Sequence, residues 1–187
     1  MGGGNWDSRP LPMGGGGGGG WSGDHGGLAA LISSGEGGFN SVNYGTTGSG
    51  RQIKLTSMSI GQVERMQSAG QVFAVGFAQW IPGNLTKARM AAGLPPGAPM
   101  SPANQQKMFW AYVLNSDKRP ALRDYLAGRS NNLNAAHRAL ADEWAAVQGP
   151  SGRGSYDGDS AGNMASLGAA KIRQALIRAR QSITRRP

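Results

Sequence analysis

The chain has 187 residues, 16% of them charged, and no cysteine, a length that suits one domain with a tail. Without cysteine there is no disulfide scaffold, thiolate metal site or cysteine nucleophile, and two histidines, His25 and His137, leave little for a histidine metal centre. Nineteen Lys and Arg against ten Asp and Glu give a net charge of +9, which points to a polyanionic partner, while no apolar run approaches the ~20 residues of a membrane span.

Glycine opens the chain. Of 32 glycines, nineteen fall in the first 50 residues, and 14–20 are seven in a row. Such a stretch loses the most backbone entropy on ordering and has no side chain to bury. Residues 1–27, with Trp6, Trp21 and Pro10-Leu11-Pro12, therefore read as a flexible Gly-rich arm carrying a net charge of −1. The N-terminus has neither a basic n-region nor an apolar h-region, so no signal peptide is expected.

From Leu28 to the end at 187 the pattern is that of one globular domain. Leu28, Ala29, Leu31 and Ile32 predict a short helix closed by Ser33-Ser34-Gly35. Val42, Tyr44 and Ile53-Lys54-Leu55-Thr56 read as short strands in a Gly-, Ser- and Thr-rich excursion. Ser59-Ile60-Gly61-Gln62 has capping-box spacing before a helix that ends near Gly70, with Ile60, Val63 and Met66 on one face. Residues 72–81 form an almost unbroken apolar run, and Pro82 opens the next helix, to Gly93. Ser101-Pro102 starts a helix with Met108, Phe109, Tyr112 and Val113, and Pro120 starts another that ends at Gly128. Asn132 or Asn134 caps a helix placing Leu140, Trp144 and Val147 on one side, and the last helix is expected over 161–183. Trp110, Trp144, Phe109 and Tyr112 read as core; Trp80 fits core or cleft. The fold class is α+β, mostly α.

One acid stands apart. Glu36 follows an apolar helix and sits among Gly35, Gly37 and Gly38. A helix C-terminus carries partial negative charge, and burial disfavours a carboxylate, so both raise a pKa there. A carboxylic acid kept protonated near neutrality is what a general acid needs. A solvated Glu at a helix end is the alternative on local context alone.

Leu28–Asn43 resembles the catalytic-Glu segment of the lysozyme superfamily, in which a helix ends in Glu-Gly and a β-lobe follows. With Gly76-Phe77-Ala78-Gln79-Trp80-Ile81-Pro82 it is most similar to the phage lambda endolysin family, whose second motif is Gly-Arg-Tyr-Gln, often continuing into Ile-Pro. Gly76 and Gln79 match; Phe77 and Ala78 replace Arg and Tyr. The loop Gly152–Gly158 with Tyr156 is a looser match to the segment that brings an aromatic to the cleft wall. The resemblance runs over roughly residues 28–177. It implies a helical lobe and a small β-lobe flanking a cleft, and a peptidoglycan-degrading enzyme that cleaves the MurNAc–GlcNAc β-1,4 bond with no cofactor or metal. Glu36 is then the catalytic acid, and Gln79, Asn43, Tyr44, Tyr156, Gly76 and Phe77 are expected to bind substrate.

The acid inventory bears on the reaction. Two carboxylates flank the scissile bond in most glycosidases, but residues 37–63 contain no acid; only Asp157 is left to approach in space. One acid suits a lytic transglycosylase, in which the MurNAc 6-hydroxyl closes a 1,6-anhydro ring and no water is activated. A hydrolysing muramidase is the alternative. Gln79 is expected to bond an N-acetyl group, hold Glu36, or cap the adjacent turn.

After Asp159 there is no acid, while Lys171, Arg173, Arg178, Arg180, Arg185 and Arg186 are basic and Ile172, Leu176, Ile177 and Ile183 form an apolar stripe. This is a docked terminal helix with a solvated basic face, or one drawn to an anionic envelope surface. A basic nucleic-acid- or membrane-binding protein is the rival class; the sequence carries no helix-turn-helix, zinc or RNA-recognition motif, so no specific nucleic acid is expected. The expected setting is synthesis in the cytoplasm and action in the periplasm or cell wall. A phage lysin, as endolysin or as virion component tethered to virion proteins through the arm, comes first, and a bacteriocin or secreted effector second.

Overall fold

A computed structural model describes residues 25–44, 53–115, 117–160 and 162–185. Among them are seven α-helices and one two-stranded antiparallel sheet. Most of the predicted arm lies outside the described residues. His25–Gly27 do not belong to it: they form a 3-10 turn, and His25 is buried edge-on to Trp110, with Nδ1 3.1 Å from Ser182 Oγ.

Helix α1, Leu28–Glu36, buries Leu28, Ala29 and Ile32. It runs past Gly35, where the sequence suggested a stop. Gly35 stays helical because its missing side chain makes room for Ala146 and Leu167; the terminator is Gly37, at φ 137°, whose N–H donates to Ser33. The chain then forms β1, Val42–Asn43, paired with β2, Ala74–Val75, in the register Val42–Val75 and Asn43–Ala74. The strand expected at 53–56 is instead a 3-10 turn over Leu55–Ser57 that buries Leu55. Thr56 N–H spends its hydrogen bond on Asn40 Oδ1, 2.9 Å away, and not on a neighbouring strand.

Helix α2, Ile60–Ser68, has the capping box of Ser59 and Gln62 complete. Helix α3, Asn84–Ala91, begins two residues after Pro82, because Gly83 at φ 80° takes the cap position. Helix α4, Pro102–Asn115, is the central one: Gln105 and every residue from Met108 to Leu114 are buried, as for a helix surrounded on all sides. Helix α5, Pro120–Leu126, starts on its proline. In α6, Leu133–Ala141, the Asn132 side chain accepts from Ala135 N–H. Trp144 and Val147 lie beyond α6 yet are buried. Helix α7, Ala169–Thr184, starts eight residues later than the sequence suggested. The preceding chain is extended instead, because Ser166 and Leu167 N–H both donate to Ala146 O, at 3.0 and 2.8 Å.

Trp80, Trp110, Phe109, Tyr112 and Trp144 are all core. The apolar face of α7 is Ile172, Ala175, Leu176, Ala179 and Ile183; Ile177, assigned to that stripe from sequence, is exposed. Among the described residues no helix is long and apolar enough to cross a membrane, and no cluster of His, Asp or Glu is arranged to hold a metal ion.

Candidate active site

Glu36 ends α1 and is half-buried. Its Oε1 accepts the backbone N–H of Ala146 at 2.8 Å. Burial pushes the carboxyl above its usual 4.5, and the Ala146 amide pulls back less strongly. The direction is the one a general acid requires. Ala146 lies 110 residues along the chain from Glu36, and Gly35 lets it come close: a Cβ on Gly35 would stand 2.7 Å from Ala146 Cβ and 2.8 Å from Leu167 Cγ.

The second motif is a tight hairpin. Val75 and Trp80 exchange both backbone hydrogen bonds, at 3.1 and 2.9 Å, around residues 76–79. Gly76 takes φ 72°, and Gln79 takes φ 47°, the one positive φ among the described non-glycine residues. That conformation is costly for a side-chain-bearing residue and is held only where the surroundings fix it. Gln79 Nε2 donates to Gly76 O at 2.9 Å. It also lies 3.8 Å from the point a Gly37 Cβ would occupy, so the glutamine sits beside the residue that follows Glu36.

Four further residues fix the hairpin. Gly76 N–H donates to Ser41 O at 2.8 Å. Gln67 Nε2 donates to Phe73 O and Trp80 O, both at 2.7 Å. Trp144 Nε1–H donates to Ala78 O at 3.1 Å. Gln105, fully buried, donates to Phe39 O and Met100 O, each at 2.9 Å, and accepts from Phe77 N–H at 3.2 Å. One amide thus joins the segment after Glu36 to the hairpin that carries Gln79.

Several sequence assignments change here. Phe77 does not face a cleft: it is 1% exposed and packs against Phe39 and Phe109, with centroids 5.4 and 5.5 Å away. Gly76 makes room for Gln105 Oε1 and not for substrate, and the gap at Gly37 is filled by Ser41. Of Gly35, Gly37, Gly38 and Gly76, only Gly38 has open space where a Cβ would be. Asn43 is exposed on β1, and Tyr44 is half-buried against the core. Tyr156 is 37% exposed, and its hydroxyl donates to Asp142 O at 2.7 Å. Asp157 is no partner for Glu36: its oxygens accept Ala165 N–H and Gly154 N–H, both at 2.7 Å, and hold its own loop together.

Gln67, Gln105 and the Ala146 amide were not anticipated. The two glutamines left a trace: Gln67 follows Ile60 and Val63 at helical spacing, and Gln105 precedes Met108, Phe109 and Tyr112 on one face. An amide on an apolar stripe must find partners inside. Ala146 left none, since any residue but proline supplies a backbone N–H. Compared with known proteins, the chain matches no family model, no curated protein and no solved structure.

Proposed function

We propose that this chain is a lytic enzyme that cleaves the MurNAc–GlcNAc β-1,4 bond of peptidoglycan, with Glu36 as its acid and a lysozyme-like arrangement of helical body and small β-lobe. The observation that carries the reading is the state of Glu36: half-buried at a helix C-terminus, hydrogen-bonded through one oxygen to a single backbone amide, its pKa raised by burial. A carboxyl whose pKa is raised by burial has moved in the direction that general-acid catalysis needs.

The other acids favour a one-carboxylate reaction. Among the described residues, Glu64 pairs with Arg89, Asp117 and Asp124 with Arg123, and Glu143 with Lys118 and Arg119. Asp157 and Asp159 staple their own loop, and Asp142 accepts from Ser155. We therefore infer a lytic transglycosylase. Glu36 gives its proton to the bridging oxygen, and GlcNAc leaves as the alcohol. The substrate N-acetyl group stabilises the charge developing at MurNAc C1. The Glu36 carboxylate then takes the proton of the MurNAc 6-hydroxyl as that oxygen bonds C1, which closes the 1,6-anhydro ring and restores the acid. Gln79, held at the rim of the same site, supplies an amide to an N-acetyl group.

Mass spectrometry of muropeptides released from purified sacculi tests this. Anhydro-MurNAc ends are the expected product. Reducing MurNAc ends alone would make the enzyme a hydrolase, and no release at all would end the lytic reading.

A further inference from the structure

The basic residues of α7 sort into two rows. Arg173 and Arg180, seven residues apart, turn toward the first turn of α6 and the chain just before it, respectively. Arg173 Nη1 donates to Asn134 Oδ1 at 2.5 Å, and Arg180 donates to Ser130 O and Asn131 Oδ1, both at 2.7 Å, while its guanidinium lies 4.8 Å from the centre of the Tyr125 ring. This row fastens the helix to the body.

The second row is Lys171, Arg178 and Arg185, with Gln174 and Gln181 between them, and all five are exposed. Seven residues advance a helix about 10.5 Å and turn it only ~20° from a straight line. The three cations therefore form a nearly straight track about 21 Å long. The sequence after Asp159 contains no Asp or Glu, so α7 carries a net positive charge.

The track has a defined place relative to Glu36. Leu167, four residues before Lys171, packs against Gly35, the neighbour of Glu36. At the other end Ser182 meets His25, just ahead of α1. Helices α1 and α7 thus run antiparallel, and the track begins near the Glu36 end of α1 and leads away from it. The apolar face of α7 packs on the core, and the exposed face is polar and cationic apart from Ile177. That face suits adsorption of a charged polymer and not insertion into lipid.

We propose that Lys171, Arg178 and Arg185 form an accessory binding track for the anionic substrate polymer, engaging the carboxylates of its peptide stems along the strand on which Glu36 acts. The inference rests on the peptidoglycan reading above. Its role is to concentrate the strand at the acid, which lowers KM and leaves kcat unchanged.

The test is cosedimentation of the full chain with purified sacculi in the Glu36→Gln background, where no cleavage removes the polymer. The variant Lys171→Gln/Arg178→Gln/Arg185→Gln is compared with Lys54→Gln/Arg65→Gln/Lys87→Gln, which removes the same charge from exposed sites off α7. Binding at low salt should fall about tenfold or more for the track variant and by less than about twofold for the control. Amidating the sacculus carboxylates should produce the same loss with the unaltered track. The exchange Lys171→Arg/Arg178→Lys/Arg185→Lys should restore binding, which separates a charge effect from misfolding. Equal losses in both triple variants, full binding to amidated sacculi, or a loss confined to anionic vesicles or duplex DNA would each overturn the track. Failure of the lytic reading is scored separately, as the absence of released muropeptides from the unaltered chain.

Discussion

Glu36 and Asp157 are both carboxylates that accept backbone amides at ordinary distances, 2.8 Å in one case and 2.7 Å twice in the other. Their proton affinities move in opposite directions. Glu36 has one amide and is half-buried, and desolvation outweighs the hydrogen bond. Asp157 has two amides and faces water, and the hydrogen bonds hold it below its usual 3.8. The contrast is one of balance: burial outweighs the amide at Glu36, and the amides outweigh burial at Asp157.

The sharpest way to break that contrast is Glu36→Gln. Lytic activity should fall by roughly 10²–10⁴-fold, the range for loss of a general acid, as read by turbidity of purified sacculi. Stability should move the other way. The folded-state pKa of Glu36 is above 4.5, so below 4.5 both states hold the proton and the charge costs nothing. As pH rises through the folded pKa, stability is lost because the carboxylate is forced into a dehydrated site. The glutamine variant should therefore melt higher than the parent at neutral pH, and the gap should close toward pH 4. A parent more stable than the variant at pH 7 would mean that the Ala146 amide outweighs desolvation at Glu36.

Next in size is Gln105→Leu. The substitution strands the carbonyls of Phe39 and Met100 and the amide of Phe77 inside the protein. At about 1–3 kcal/mol for each buried group left without a partner, the three together should cost at least ~3 kcal/mol by denaturant unfolding. Activity should fall further than stability alone predicts at temperatures where the variant is folded, since the link from Phe39 to the 76–79 hairpin is cut. Gly35→Ala comes third. Its methyl meets Ala146 Cβ and Leu167, so the helix and the 146–148 chain must separate. Overpacking of this kind costs about 1–3 kcal/mol. It should also loosen the Ala146 amide from Glu36. Gly38→Ala, with open space at its Cβ, is the matched substitution that should leave folding unchanged.

These residues also mark how far the sequence could be read. Local devices were legible: the Ser59–Gln62 capping box, Asn132 as a cap, and Pro102 and Pro120 at helix starts each act within four residues. The carboxyl of Glu36 was legible because a helix end and flanking glycines are also local. What escaped depends on distant partners. Gly35 looks like a stop and is a contact point for Ala146, 111 residues away in the chain. Residues 162–168 have no feature that forbids helix, yet the carbonyl of Ala146 draws two of their amides into an extended segment. Phe77 stands where a family motif has a polar residue, and motif position alone suggested a cleft. Its own hydrophobicity, followed instead, leads to the core beside Phe109.

The smallest effect belongs to the other carboxylate. Asp157→Asn leaves one carbonyl oxygen where two oxygens accepted Gly154 and Ala165. The loop loses one amide contact, and a modest drop in melting temperature is expected with lytic activity retained. The sign of its pH dependence is opposite to that of Glu36. With a folded-state pKa below 3.8, the contribution of Asp157 is complete above 3.8 and is lost as pH falls through the folded pKa. The parent should therefore be more stable than Asp157→Asn at pH 7, with the difference shrinking in acid, whereas the Glu36→Gln difference is also largest at pH 7 but favours the variant. If Asp157→Asn instead abolished lysis, Asp157 would be a second catalytic carboxylate. The one-acid reaction would then give way to hydrolysis, in which a base must take a proton from water.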